Sequence, residues 1–412
     1  MRSCLHLAVA NGQYAVIMSI LESPSSGNIM NWKDTKDRTA LHFAAEAGNT
    51  AILELLLSHG ASTAATDLDE RTALHIACEN NSVGCAEALI HASKGELNDP
   101  DIDGMSPLLL ASMKGHRHMV KVLTALGADN SCKDDQRRTA LMLAAMNGQT
   151  AVMAILLENQ ADLSATDKYK LTALHYACSN NHAKAVRLLL ARNADVTATT
   201  LKKETPLDLA AINMASEATI AILQSDKWEE AMSVRDDTGY TPMQNLIVRI
   251  PEAAKIVMDR CVDSSTDDPT DKDLVMHFNY KFIDPHPDDA MSEGTRWCAL
   301  ETMAKHKRKE LLSHPLSQNI LSVKWTRFAR YLFYANLATY VLFVVLMMVF
   351  ILTVGEPIRT SHVDDVNLCP IYMPEGQEDN ATLLQYYKEL VWVNKSLSVQ
   401  RFVELPRQVL SD

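Results

Sequence analysis

Aromatic residues make up only 6% of this 412-residue chain, and Met and Ala supply much of the apolar filling instead. Positive charge is also short. A formal net charge of -12 leaves no cationic face of the kind a phosphate backbone requires, which excludes nucleic acid as the expected partner. Paired cysteines are missing. None of the eight, Cys4, Cys78, Cys85, Cys132, Cys178, Cys261, Cys298 and Cys369, stands in a C-x-x-C pair, so the pattern is neither a disulfide framework nor a zinc site. It fits a reducing compartment, with thiols used as small apolar fillers. The N-terminal Met1-Arg2-Ser3-Cys4-Leu5-His6 lacks an apolar h-region and a cleavage site, and the chain is expected to start on the cytosolic side. There is no Gly-rich phosphate loop, no G-x-S-x-G and no His-Glu-x-x-His. Neither an enzyme nor a cofactor or metal is expected.

What the chain does have is a repeat. Thr39-Ala-Leu-His-Phe-Ala recurs from Thr72, Ser106, Thr139, Thr172 and Thr205, with a partial copy from Ser3 and a weaker one from Thr241. The successive spacings are 36, 33, 34, 33, 33, 33 and 36 residues. A period of 33 with this block is the ankyrin signature, and the fold expected is an all-α solenoid of about eight helix pairs over residues 1–260. Each Thr or Ser offers a hydroxyl to the first free N–H groups of a helix. Pro107, Pro206 and Pro242 follow at the first helical position, where a missing N–H costs nothing. Alanines such as Ala44, Ala45, Ala144, Ala145, Ala210 and Ala211 let the inner helices approach closely. Gly48, Asn81, Gly115, Gly148 and Asn181 stand where a left-handed turn into a second, Leu-rich helix is needed. One repeat cannot bury its own faces, so neighbours must stack, and the concave surface so formed is expected to bind proteins.

His6, His42, His75 and His175 share one slot of the block. Because each lies in a different repeat they form a row and not a metal cluster, and a hydrogen-bonding role between loop and helix start is expected.

After Cys261 the composition changes. Asp263–Asp273 reads as an acidic loop, Phe278–Ile283 as a short strand, and Arg296–Ser313 as a helical stretch limited by Pro315. Residues 261–330 form a cytosolic linker in this reading. From Tyr331 to Val354 there are 24 uncharged residues, sixteen of them Leu, Ile, Val, Phe or Met. As a helix they span about 36 Å, enough for a hydrocarbon core of about 30 Å. Lys305, Lys307, Arg308, Lys309, Lys324, Arg327 and Arg330 precede this run, while Glu356, Asp364 and Asp365 follow it. Positive residues stay inside, so the repeats are expected in the cytosol and residues 355–412 outside the plasma membrane. The sequons Asn380-Ala-Thr and Asn394-Lys-Ser fall on that outer side. Lys305, Lys307, Arg308 and Lys309 also make a candidate contact for anionic lipid headgroups or polyphosphates, the alternative being a solvated face that sets topology.

The order of ankyrin stack, polar linker, His314-Pro315-Leu316, Lys324-Trp325 and membrane helix resembles the transient receptor potential channels of the ankyrin subfamily. The resemblance extends through Pro251–Cys261, Phe278-Asn-Tyr-Lys-Phe282 and Glu310–Pro315. It implies a tetrameric, non-selective, calcium-permeable cation channel with a cytosolic sensing and assembly domain. The family has six membrane helices and this chain ends after the first, so the resemblance implies a piece or a truncated form of a channel subunit, which associates with full-length subunits. The alternative reading is a single-pass, membrane-anchored ankyrin adaptor. Irritant-sensing members carry reactive cysteines near the last repeat. Cys261 matches one such position, Thr241, Ala253 and Pro285 stand at others, and Cys298 lies in the linker. Cys261 and Cys298 are thus candidate reactive thiols, with buried, inert thiols as the alternative.

Overall fold

The computed structural model describes residues 3–22, 29–93, 95–234, 241–264, 276–283 and 299–354, the side chains of 328, 329 and 351–354 aside. Two units are distinguished, Met1–Leu332 and Phe333–Asp412.

The first unit is a stack of antiparallel helix pairs. In chain order the pairs are α1 (Cys4–Ala10) and α2 (Tyr14–Leu21), α3 (Ala40–Ala47) and α4 (Thr50–Ser58), α5 (Ala73–Glu79) and α6 (Val83–Ala92), and α7 (Pro107–Lys114) and α8 (Arg117–Ala125). They continue with α9 (Ala140–Met146) and α10 (Thr150–Glu158), α11 (Ala173–Ser179) and α12 (Ala183–Ala191), and α13 (Pro206–Ile212) and α14 (Ser216–Leu223). A short α15 (Trp228–Ser233) precedes the pair α16 (Pro242–Arg249) and α17 (Pro251–Arg260). The first helix of each of these eight pairs begins at the block: Ser3, Thr39, Thr72, Ser106, Thr139, Thr172, Thr205 and Thr241 are the N-caps, each extended. Inner helix packs on inner helix along the row, and outer on outer. The contact layer is the expected one. Ala44, Ala45, Ala144, Ala145, Ala210 and Ala211 are fully buried between inner helices, and Leu53, Leu56, Leu109 and Leu123 fill the space against the outer ones.

The turn inside each pair has one construction. A residue with positive φ follows the inner helix: Gly48 at 69°, Asn81 at 58°, Gly115 at 85°, Gly148 at 67° and Asn181 at 59°. At Gly148 a side chain is also excluded by space, since a Cβ there would lie 2.6 Å from Nδ1 of His182 in the next repeat. The pair α16/α17 departs from this and turns at Ile250-Pro251 without a left-handed residue.

The linker corrects two expectations. Residues 263 and 264, expected at the start of the acidic loop, belong to a strand, Val262–Ser264 (β1), that pairs antiparallel with β2 (Met276–Phe278), so the strand expected over 278–283 lies earlier and ends where that one was to begin. The reason is local: Cys261 caps α17 and its carbonyl accepts the Asn279 N–H at 2.8 Å, closing the ribbon there. The helical stretch expected over 296–313 is broken at Lys307 (φ 56°) into α18 (Ala299–Lys305) and α19 (Lys309–Leu312). The stretch ends before Pro315 as expected, α19 closing at Leu312, and Pro315 then opens α20 (Pro315–Lys324), at the position where its missing N–H is harmless. A π turn at Trp325–Ala329 separates α20 from α21 (Arg330–Val354).

Helix α21 lies mostly in the second unit. Its 25 residues rise about 37 Å. The stretch Arg330–Phe350 is long and apolar enough to cross a membrane. Leu332, Phe333, Leu337, Val341, Leu346 and Phe350 are all exposed, so the helix has no buried stripe of the kind a soluble core helix presents.

Candidate functional site

The histidine row is a set of latches. In the second repeat Nδ1 of His42 accepts the Thr39 backbone N–H at 3.1 Å and lies 2.9 Å from the Thr39 hydroxyl. A nitrogen facing two donors is the unprotonated one, so Nε2 carries the proton and donates to the Arg71 carbonyl at 3.0 Å. His6 does the same toward Arg38, and His75 toward Met105. Each imidazole ties its own helix start to the loop of the following repeat. Burial pushes His42, His75 and His175 below the ordinary histidine range, His175 to about 4, so they remain neutral. In His175 the helix-start bonds are kept, and the ring faces the backbone of Glu204 and Ala198 in the following loop, with Nε2 outside good hydrogen-bond geometry. The fourth latch is the loosest of the row.

A second ladder runs through the loops, and sequence reasoning missed it. Asp34, Asp67, Asp101, Asp134 and Asp167 are buried, and one carboxylate oxygen of each accepts the backbone N–H groups two and four residues on, at 2.7–3.0 Å. Thr200 replaces the carboxylate in the sixth loop. The signal was available, because each stands five residues before the Thr or Ser cap. The loop this builds is a finger with three residues at its tip, the third at positive φ. Neighbouring fingers are joined by one backbone hydrogen bond each: the N–H groups of Leu68, Ile102, Asp135, Lys168 and Leu201 donate to the carbonyls of Lys36, Asp69, Asp103, Gln136 and Tyr169 at 3.0–3.1 Å. The tips thus form a registered row.

The basic segment before α21 is not four equivalent cations. Its turn repeats the ankyrin pattern: Lys307 N–H donates to Ala304 O, Arg308 N–H to Met303 O and Lys309 N–H to Lys307 O, as Asn181, His182 and Ala183 do to Cys178, Ala177 and Asn181. Helix α18 packs on α16 as the other inner helices pack on one another. Arg308 is half-buried; its Nε donates to the Ile247 carbonyl at 3.1 Å and its guanidinium also reaches the Val248 carbonyl. His116 and His182, at the same place in their own turns, reach Glu79 O at 2.9 Å and Met146 O at 3.1 Å. Residues 299–312 are therefore a ninth helix pair that lacks the block, and Arg308 is its inter-repeat tie. Lys305, Lys307 and Lys309 remain exposed on its surface. Below it, His314 Nε2 meets Asp259 Oδ1 at 2.9 Å while Nδ1 accepts the Leu316 N–H, fixing α20 to α17.

Cys261 is buried, and burial together with the nearby Glu229 carboxylate pushes its thiol up to about 11. That is the environment of a poorly nucleophilic thiol. Cys298, Asn380 and Asn394 lie outside the described residues. A cleft of about 390 Å³ is lined by Asn181, His182, Lys184, Arg187 and Glu217 among others. Two of these are already engaged, His182 with Met146 O and Asn181 Oδ1 with the Ala218 N–H at 3.0 Å. No group of three or more His, Cys, Asp and Glu side chains able to hold a metal is present among the described residues. The arrangement offers recognition surfaces: a row of tips, a row of inner helices and a basic end.

These features define an ankyrin-repeat protein, and the family model "Ankyrin repeats (3 copies)" matches residues 5–101, 91–167, 108–200 and 155–236. The chain belongs to the ankyrin-repeat family. Among curated proteins it is similar to transient receptor potential cation channel subfamily A member 1 from Homo sapiens, 28% identical over 379 residues, 89% of this chain and 34% of that protein. It is 28% identical over 368 residues to the Drosophila melanogaster protein of the same name, 85% of this chain and 31% of that one. To the Caenorhabditis elegans homolog it is 26% identical over 397 residues, 83% and 33%. The chain spans about a third of the length of these relatives.

Proposed function

We propose that this chain is the ankyrin-bearing, membrane-entering part of a non-selective, calcium-permeable cation-channel subunit. The repeats and the ninth helix pair lie in the cytosol as a sensing and assembly domain. Helix α21 crosses the plasma membrane, and residues 355–412 lie outside, glycosylated at Asn380 and Asn394. The reading is carried by one observation: the similarity to the subfamily A channels covers 83–89% of the chain, and so runs past the repeats into the linker and the apolar helix. Assembly is expected to be tetrameric, with this chain joining full-length subunits, and the inner-helix face takes protein partners. Lys305, Lys307 and Lys309 lie on the last pair before α20 and α21, and they contact anionic lipid headgroups or polyphosphates.

The test is co-expression of the 412-residue chain with a full-length subfamily A subunit. The expected result is retention of the chain after alkaline carbonate extraction, co-purification with the channel, and an altered whole-cell cation current. Release from membranes by carbonate would sink the membrane reading. Retention with no channel association and no effect on current would leave the anchored adaptor in its place. Topology is read separately: glycosidase treatment shortens the wild-type chain on a gel, and Asn380→Gln with Asn394→Gln abolishes that shift.

A further inference from the structure

The row of finger tips carries a pattern that neither the fold nor the channel reading uses. Four of the six tips present an exposed apolar side chain, Leu68, Ile102, Tyr169 and Leu201, each 57–59% accessible. Nothing in the packing of the repeats asks for them, and exposed apolar groups in a registered row mark a contact surface. The charges around them are segregated. The second and third tips, Leu68-Asp69-Glu70 and Ile102-Asp103-Gly104, hold three carboxylates and no cation, with Asp69 also paired to the neighbouring Arg71 guanidinium at 2.6 Å. The fifth and sixth, Lys168-Tyr169-Lys170 and Leu201-Lys202-Lys203, hold four lysines and no carboxylate. Between them the fourth tip, Asp135-Gln136-Arg137, has one of each.

We infer that the finger-tip row is a self-complementary surface on which a second copy of this chain docks about a two-fold axis through Gln136. Such an axis reverses the row. It sets the second tip against the sixth of the second copy and the third against the fifth, so Leu68 meets Leu201, Ile102 meets Tyr169, and carboxylates face lysines from the second tip to the sixth, while the first tip, Thr35-Lys36-Asp37, lies beyond the contact. At the centre, Asp135 of each copy faces Arg137 of the other. An isologous contact needs this palindrome of shape and antipalindrome of charge. A parallel pairing would instead put like charges together. The backbone hydrogen bonds between tips hold the spacing of the row on both copies, so one matched pair of tips brings the others into register. The inference does not depend on the channel reading, since it uses only the fingers.

The test uses the full chain in membranes of expressing cells. Oxidation of a Gln136→Cys variant is expected to give a disulfide-linked dimer above the wild-type background, because only a residue near a two-fold axis meets itself. A Lys121→Cys control on α8 stays at background. Two charge variants sharpen the result. Glu70→Lys with Asp103→Lys leaves lysines in excess at both ends of the row, with Asp69 the one carboxylate kept there, and Lys168→Glu with Lys170→Glu and Lys202→Glu leaves carboxylates in excess at both ends, with Lys203 the one lysine kept. On the Gln136→Cys background each alone is expected to lose the cross-link, while the two co-expressed regain it, and the cross-link weakens as salt is raised toward 1 M. Failure of Gln136→Cys to link overturns the inference. So does linking through Leu68→Cys with Leu201→Cys when Gln136→Cys stays silent, which is the outcome of a head-to-tail ring. Survival of the cross-link in either charge variant alone overturns it as well.

Discussion

The eleventh and twelfth helices and the eighteenth and nineteenth have the same turn, yet only the first pair carries the ankyrin block. In α11/α12 the cap Thr172, the imidazole of His175 and the left-handed Asn181 all conform to the repeat. In α18/α19 none of these residues is present, and a lysine occupies the left-handed position at Lys307. The backbone hydrogen bonds are nonetheless the same three, and a tie to the preceding inner helix is made by Arg308 instead of His182. The difference teaches that the block is one way of stabilising the hairpin. What shapes the hairpin is the surface of the repeat before it. A stacked array is held by nearest-neighbour interfaces as much as by each unit's own preferences, so the last pair can borrow its geometry.

The comparison can be broken most forcefully in the core. Leu141 is buried in α9, and Leu141→Ala is expected to cost about 2–5 kcal/mol, read as a loss of protection from hydrogen exchange spreading through both neighbouring repeats. A similar spread after Met303→Ala, in the buried core of α18, would mean that the ninth pair is as strongly coupled as the others. Loss confined to residues 299–320 would mean that it is a dependent cap.

The tie comes next. Arg308→Ala removes hydrogen bonds to two helix-end carbonyls and is expected to cost about 1–3 kcal/mol, with exchange rising in α18 and α19 only. Arg308→Lys does not restore it, because an ammonium lacks the planar fork that spans both carbonyls. An unchanged exchange rate in Arg308→Ala would remove the parallel with His182.

The latches differ from the tie in their response to pH. His175 is held at about 4 in the folded chain, against an ordinary 6.5 when unfolded. The unfolded state therefore binds more protons between these values. Stability is full above about pH 6.5 and is lost as pH falls toward 4. His175→Gln keeps a side-chain acceptor for the cap and is expected to flatten part of that acid slope in denaturant titrations. Arg308→Ala removes no imidazole and leaves the slope as in the wild type. The smallest effect belongs to the exposed lysines. Lys305→Gln with Lys307→Gln and Lys309→Gln should change stability by less than about 0.5 kcal/mol, while flotation with vesicles of anionic lipid falls. Unchanged flotation would reduce the three to a solvated face.

Much of this molecule was legible from residue order alone. The period of 33 with a hydroxyl cap, a small inner face and a left-handed turn specifies a helix pair each time it occurs, because caps, turns and close helix packing depend on side chains a few residues apart. The histidine row was read correctly as loop-to-helix bonding for the same reason. Length and composition likewise sufficed for α21 as a helix able to cross a membrane. The aspartates five residues before each cap were equally local and were overlooked. The ninth pair was of another kind. Nothing within residues 299–312 marks a repeat, and Arg308 reads as one cation among four until the carbonyls of Ile247 and Val248 come within reach of it, some 60 residues away. The hairpin β1/β2 depends in the same way on pairing across a chain segment of unrelated sequence. Local chemistry determined which stretches become helices and where they start. Tertiary stacking decided which unmarked helices join the array and which charges are consumed as ties, because those outcomes depend on the surface a segment meets and not on the segment itself.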